Sequence, residues 1–331
     1  MNSFGRLFRI SIFGESHGKF IGVTIDGCPA GLQVSEEDFL EDLNRRKSGA
    51  KGTTPRTEAD EPQFVSGIFN GITTGAPLTI IFENANIKPG DYENLRTQPR
   101  PGHADFVALH KFGGFGDYSG GGHFSGRLTV ALVAAGVIAK KIIEPISISS
   151  KLLKAGGSED IQQTIEEAMA DRDSVGGLIE CTAKNLPVGL GEPFFDSVES
   201  LISHLVFAIP AIKGIEFGSG FAAASMRGSE HNDPIISANG KTATNHAGGI
   251  NGGITNGNNL VFRVAVKPTS SIGKAQSTFN FANSKVNELK IEGRHDACIA
   301  LRVPPVIEAA TAIALADLML LEQKVKRVKD Q

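Results

Sequence analysis

One twelve-residue pattern occurs twice in this chain. Gly67-Ile68-x-x-Gly71-Ile72-Thr73-x-Gly75-x-x-Leu78 returns as Gly249-Ile250-x-x-Gly253-Ile254-Thr255-x-Gly257-x-x-Leu260. Upstream, Thr24 and Pro29-x-Gly31-Leu32 correspond to Thr182 and Pro187-x-Gly189-Leu190, and a capped helix follows each Pro-x-Gly-Leu. The order in both is strand, turn, helix, then a glycine-punctuated β-pair. Chance likeness between Gly-rich hairpins is the alternative, but the shared order favours an internal duplication. Gly31 to Gly67 is 36 residues and Gly189 to Gly249 is 60, so the second copy carries an insertion of 24, about the length of the polar stretch Met226–Ala247. The expectation is an α+β fold: a layered β-α-β sandwich of antiparallel sheets with helices between. It forms a single domain over 1–331, with pseudo-repeats at about 20–82 and 177–266.

Alternation and capping place the elements. Strands are expected at Arg6–Phe13, Phe20–Asp26, Phe64–Ile68, Leu78–Phe82, Gly177–Thr182, Leu260–Val266 and Cys298–Val303. A helix from Ser35, with an acid at Asp38, runs to about Arg46. Further helices are expected at Leu128–Ile143, Ser158–Met169, Asp196–Phe207 (with an Asp196/Glu199 capping box) and Pro304–Val328. Lys47–Pro62 reads as an exposed, basic-leaning loop. Val306–Leu321 is the most apolar stretch, but Glu308 and Asp317 interrupt it and sixteen residues span a bilayer poorly, so it reads as a buried helix.

The chain has 331 residues, enough for a substantial core. Its net charge of -3 disfavours sequence-independent binding to nucleic acid. Glycine is in excess, 39 residues against about 23 at average usage, which points to tight turns and close backbone approaches. Cys28, Cys181 and Cys298 are far apart and make neither a zinc spacing nor a disulfide framework, which fits a reducing cytosol. The N-terminus lacks the pattern of a secretory signal. No H-E-x-x-H, C-x-x-C or paired ligand spacing occurs, so no metal is expected.

The chemistry concentrates in Pro99–Arg127, which holds eight glycines, three of the eight histidines and basic residues at both ends. Histidine suits proton transfer near neutral pH, and arginine binds phosphate or carboxylate bidentately. Gly14-Glu15-Ser16-His17-Gly18 places a hydroxyl and an imidazole in a turn after a strand, but not in the order of a serine-hydrolase elbow. Arg45, Arg46, Lys47, Lys51 and Arg56 cluster after a helix and as a group suit a phosphate. Lys267-Pro268-Thr269-Ser270-Ser271 offers an ammonium, hydroxyls and backbone N–H groups, a cradle for phosphate or a flavin ring. Gly293-Arg294-His295-Asp296 sets an acid beside a histidine, which suits a proton relay.

Taken together, GESHG at Gly14–Gly18, Arg45-Arg46, RPGHAD at Arg100–Asp105, GDYSGGG at Gly116–Gly122, MRGSE at Met226–Glu230, NHAGGINGGI at Asn245–Ile254, KPTSS at Lys267–Ser271 and GRHD at Gly293–Asp296 resemble the chorismate synthase family over nearly the whole chain and in the same order. The resemblance implies a lyase of the shikimate pathway that eliminates phosphate and a C6 hydrogen from 5-enolpyruvylshikimate 3-phosphate, 1,4-anti, to give chorismate. It implies reduced FMN as cofactor without net redox change, and NADPH as an indirect electron source. By similarity His17 is the acid for the leaving phosphate and His103 stabilises the reduced flavin, while Asp296, Ser16 and Ser125 form a relay to the flavin. Flavin contacts by similarity are His123, Phe124, Ser125, Pro210, Ala211, Gly252, Lys267, Pro268, Thr269, Ser270, Ser271 and Arg294. Substrate contacts are Arg45, Arg46, Lys51 and Arg100. The family's GGGRSSARET reads GGGHFSGRLT in this chain, so His123 and Phe124 replace an arginine and a serine. A cytoplasmic homotetramer is also implied; no separate reductase domain is visible in the sequence, so an external flavin reductase is expected.

From the residues alone, two other readings stand beside this one. A phosphotransferase would use the Gly-rich loop for a nucleotide, but no P-loop and no D-F-G-like aspartate is present. A non-catalytic nucleotide-binding module would leave both loop histidines idle.

Overall fold

The computed structural model describes residues 2–54, 58–85, 95–291 and 295–324. Its first half runs β1 (Ser3–Phe4), β2 (Arg9–Gly14), β3 (Phe20–Asp26), α1 (Leu40–Arg46), β4 (Gln63–Ser66), β5 (Ile68–Phe69), β6 (Ile72–Thr73) and β7 (Leu78–Glu83). Helices α2 (Asp105–Lys111) and α3 (Thr129–Ile142) follow. The second half runs β8 (Ser147–Ala155), α4 (Ile161–Ala170), β9 (Gly177–Lys184), α5 (Val198–Ala208), β10 (Ile212–Phe217) and α6 (Gly228–His231). It ends with β11 (Ile250–Asn251), β12 (Ile254–Thr255), β13 (Leu260–Val266), β14 (Gln276–Asn280), β15 (Lys285–Leu289) and α7 (Pro304–Lys324).

Two antiparallel sheets form the outer layers, one in the order β1-β2-β3-β7-β4 and the other β10-β13-β9-β8. Between them α3 packs on β3 and β7, and α7 packs on β8 and on α3. The fold is therefore α+β with antiparallel sheets enclosing helices, as the pattern predicts. Residues Val130–Ala139 of α3 are all buried, so the helix is apolar on every side and sits in the centre. Helix α7 is equally enclosed, with 83% of its apolar window buried, and fills the core rather than a membrane. Its two acids explain themselves there. Asp317 accepts hydrogen bonds from the backbone N–H groups of Arg6, Leu7 and Phe8. Glu308 accepts from Arg45, Lys140 and the Ser150 amide.

The two repeated patterns are held alike. In the first, Thr73 Oγ1 accepts from Leu32 N (2.9 Å) and donates to Pro29 O (2.6 Å). In the second, Thr255 Oγ1 accepts from Leu190 N (2.9 Å) and donates to Pro187 O (2.7 Å). Each hairpin thus clamps its own Pro-x-Gly-Leu turn.

Three expectations change. Cys298–Val303 is not a strand: Ile299–Arg302 forms a 3₁₀ turn leading into α7, whose Pro304 and Pro305 pre-set helical φ. The cap of α5 is Ser197, which accepts from Ser200 N, while Asp196 turns to Arg6. Lys47–Pro62 is not uniformly exposed: Gly52 and Asp60 are buried, and Asp60 reaches into the site described next.

Candidate active site

Strand β2 ends at Gly14, and the chain turns through Glu15–Gly18 before β3. Asn84, just after β7, closes that turn by donating to Gly18 O (2.7 Å) and Glu15 O (3.1 Å). Ser16 N donates to Gly122 O (3.1 Å), so the turn lies against the triple glycine. Gly120, Gly121 and Gly122 take φ of 59°, 85° and 52°, which L side chains rarely adopt. The open space has a use. A Cβ on Gly120 would stand 2.1 Å from His17 Cε1, and one on Gly121 would stand 3.2 Å from His103 Cε1. The two histidine rings therefore rest on successive residues of one loop.

His103 is fixed from behind. Its Nδ1 donates to Asp105 Oδ1 at 2.5 Å, which leaves Nε2 toward Gly121. Arg100 holds the same carboxylate through Nη2 (2.7 Å) and Nε (2.8 Å). Burial raises the Asp105 pKa, but the hydrogen bonds from Arg100 and His103 outweigh it and hold the carboxyl well below its usual range. Arg100 Nη1 reaches Ser271 Oγ (3.1 Å). Lys267 Nζ donates to Gly102 O (2.6 Å), as does Ser270 Oγ (2.9 Å). The Lys267–Ser271 loop is thus stapled to the turn that carries His103. Burial and the neighbouring Lys213 charge push the Lys267 ammonium below its ordinary pKa.

Beside this loop lies a cavity of about 220 Å³ that unites Ser16, Arg46, Asp60, Ser125, Arg127, Pro210, Asp296 and Arg302. Arg46 is almost fully buried and donates to Asp60 Oδ2 (2.9 Å), Thr129 Oγ1 (3.0 Å) and Arg127 O (3.2 Å). Burial, with the charges of Arg302 and Arg127, brings its pKa to about 9 despite Asp60, so it stays cationic at neutral pH. Arg302 Nε donates to Arg46 O (3.0 Å). Asp296 Oδ1 accepts from Thr54 N (2.9 Å) and faces Arg302 Nη1 (3.4 Å). Three guanidiniums converging on one small space, with Lys47 at its wall, form a receptor for an anion.

Ser16, Ser125 and Asp296, the residues expected to form a relay, share this cavity. His123 and Phe124 instead face a second cavity of about 530 Å³, walled also by Phe13, Phe112, Tyr118 and His103. His123 Nδ1 donates to Gly14 O (2.8 Å) and pins the glycine loop to β2. Ala211, at φ 75°, accepts from Lys267 N through its carbonyl. Gly252 sits at the tip of the β11–β12 hairpin and lines neither cavity. Three of the four expected substrate contacts are engaged elsewhere, Arg100 with Asp105 and Ser271 as described above. Arg45 lies on the other side of α1 from Arg46 and pairs with Glu308 and Asp42. Lys51 pairs with Glu166 on α4. Arg294 and Arg56 lie outside the described residues. Asp60 and Arg302 were not singled out by the sequence: one sits in a loop and the other in a stretch read as a strand, and only the fold brings them to Arg46. Burial pushes the Cys181 thiol up to about 12 and Cys28 to about 11, so neither is a thiolate at neutral pH.

Comparison with known proteins agrees with these motifs. The chorismate synthase family model matches residues 8–320. The chain is 67% identical over 329 residues to a chorismate synthase of Chitinophaga pinensis, covering 99% of each chain. It is 46% identical over 362 residues to one of Dehalococcoides mccartyi, covering all of both. Among solved structures it is similar to a crystal structure of chorismate synthase, with a TM-score of 0.76 and 26% identity over 99% of this chain and 96% of the other.

Proposed function

The chain belongs to the chorismate synthase family, lyases of aromatic biosynthesis that act on a small molecule, and from this premise we propose that it converts 5-enolpyruvylshikimate 3-phosphate to chorismate and phosphate by 1,4-anti elimination with reduced FMN. The observation that carries the reading is the single loop Gly120–Arg127, which supports His17 and His103 on adjacent glycines and then walls the arginine cavity.

The substrate bears a phosphate and two carboxylates, and Arg46, Arg127 and Arg302 supply matching cations. Phosphate leaves well only when protonated, and His17, whose ring lies against Gly120 of the cavity wall, is the imidazole proposed to hold that proton. The carboxylate of Asp105 fixes the His103 ring and tautomer so that Nε2 stays aimed at the Gly121 side. Ser16, Ser125 and Asp296 are the groups available to move a second proton.

The residues present fit a flavin. Aromatic side chains line the cavity beside the glycine loop, and the Lys267–Ser271 loop offers phosphate donors beside Gly102. Ser125, Pro210 and the Lys267–Ser271 loop would hold it. Bound there, a reduced flavin would supply electron density and an acceptor for the departing hydrogen. His103 would balance its negative charge.

An anaerobic assay with chemically reduced FMN and 5-enolpyruvylshikimate 3-phosphate tests this. Phosphate and chorismate are expected in equal amounts, with His17→Ala and His103→Ala each losing at least about 10²-fold in kcat. Turnover unchanged in both variants would overturn the roles, and no turnover by the unaltered protein would overturn the reaction. We further propose a cytoplasmic homotetramer that receives reduced flavin from a separate reductase, with NADPH as indirect donor. Exposed phenylalanines such as Phe195 and Phe221 and the buried free thiols support assembly in a reducing compartment. Phosphate release with NADPH and oxidised FMN alone would refute the separate reductase.

A further inference from the structure

We infer that Asp60 is a positioning residue that sets the anion-binding geometry of the arginine cavity, by clamping Arg46 and Arg127 in its wall. Asp60 comes from the loop between α1 and β4, and its side chain is 1% exposed. One of its carboxylate oxygens takes Arg46 Nη1 at 2.9 Å, and the other takes Arg127 Nη1. Arg127 Nε donates to Asn84 Oδ1 at 3.0 Å. With those two contacts the guanidinium plane is fixed. Its remaining nitrogen, Nη2, is buried and has no hydrogen-bond partner among the described residues. A buried guanidinium N–H without an acceptor is costly. Arg127 is a wall residue of this cavity, so the fork from Asp60 sets where its guanidinium stands beside a bound anion.

The backbone of Asp60 points the same way. Its φ is +52°, in the left-handed region where a non-glycine residue is uncommon. Such conformations persist where surrounding contacts over-determine them, and they cluster at binding sites. Two guanidiniums on two carboxylate oxygens are such contacts. A carboxylate that only neutralised charge would not need this fork, whereas a clamp does.

The inference rests on the reading of the cavity as an anion site, so its test includes a probe that does not depend on the reaction. The left-handed backbone helps, because asparagine tolerates αL and keeps the side-chain shape. Full-length protein with Asp60→Asn is titrated with inorganic phosphate and with 5-enolpyruvylshikimate 3-phosphate, and KM and kcat are measured with reduced FMN. Phosphate and substrate are expected to bind at least tenfold more weakly, KM to rise at least tenfold, and kcat to change less than KM. Arg127→Lys keeps the charge but removes the fork, and should weaken binding similarly. The double variant should lose no more than the worse single variant, since both remove one arrangement. Should Asp60→Asn fail to fold, Asp60→Gly, which fits the same φ, takes its place. Unchanged phosphate binding and KM, additive losses in the double variant, or failure of both Asp60 variants to fold would overturn the clamp. Loss of phosphate binding in Asp60→Asn, in a protein that never turns over the substrate, would uphold the clamp and overturn the reaction.

Discussion

At the residue scale, the glycines at the site are defined by what a methyl group would strike. Gly120→Ala places a Cβ against the His17 ring and requires φ +59° of an alanine, a backbone cost of about 1–2 kcal/mol. The ring must move, and displacement by about an ångström of the group proposed to hold the proton costs on the order of 10²-fold in rate. Gly121→Ala meets His103 at 3.2 Å, where a few tenths of an ångström relieve the contact. Steady-state kinetics should therefore show the larger kcat loss in Gly120→Ala. Asp105 gives a pH prediction. Burial raises its pKa, but Arg100 and His103 more than reverse that, so its folded value lies below the unfolded one. The stability it contributes is present above about pH 4, the unfolded carboxylate range, and is lost as pH falls through the folded value. Thermal melts should show the unaltered protein exceeding Asp105→Asn by a few degrees at pH 7, with the gap closing as pH falls below 4. A gap that widened in acid would contradict the sign. These residues were legible because GESHG, RPGHAD and the triple glycine stand out as unusual strings. Asp60 and Arg302 were not, because a single charged residue in a loop carries no signal until the fold sets it beside another.

At the element scale, the strongly periodic or uniformly apolar stretches were readable and the edges were not. Helices α3 and α7 declare themselves by alanine-rich and apolar composition, and β3, β7, β9 and β13 by their branched residues. Strand β8, with Ser147-Ile148-Ser149-Ser150, and strand β10 were missed: both are edge strands of the second sheet, so one flank faces no partner strand and the sequence is less apolar. Cys298–Val303 reads as a strand because it is a short, nearly continuous apolar run, although the turn Ile299–Arg302 within it serves to deliver Arg302 to Arg46. Propensity and packing compete where α3 crosses α7. Gly136 in α3 would gain about 1 kcal/mol of helix propensity as alanine. Its Cβ, however, would stand 2.3 Å from Ala309 Cβ and 2.5 Å from Ala309 Cα. Overpacking of that kind costs typically 1–3 kcal/mol or more, so packing wins. Gly136→Ala should lower the melting temperature by several degrees and Gly136→Val by more. A more stable Gly136→Ala would mean that the helices can separate at little cost.

At the scale of the whole molecule, the repeated pattern carried the fold, and its glycines and threonine report the same local geometry twice. Thr73 and Thr255 each accept one amide and donate to one carbonyl of the preceding Pro-x-Gly-Leu turn, with distances that agree to 0.1 Å. Both are nearly completely buried. Each is also paired through its backbone, Thr73 N to Leu32 O and Thr255 N to Leu190 O, both at 2.9 Å. What differs is the setting, since one hairpin belongs to the half built on β3 and β7 and the other to the half built on β9 and β13. The sequence could show the equivalence but not which half supplies the site. The chemistry falls mainly on the first half and on the segment joining the two, where His17, Arg46, Asp60 and the glycine loop lie. Replacement of either threonine by valine keeps the volume and removes the hydroxyl, leaving a buried amide and a carbonyl each short of a partner, at about 1–3 kcal/mol. The two sites share no hydrogen-bond partner, so the losses should be similar and should add within about 0.5 kcal/mol in the double variant. Denaturant unfolding of the three variants measures this. Similar additive losses, with phosphate binding intact in both single variants, would mean that the clamps act as equivalent and independent supports. A loss confined to Thr73→Val would mean that the half carrying the site depends on its clamp in a way that its counterpart does not.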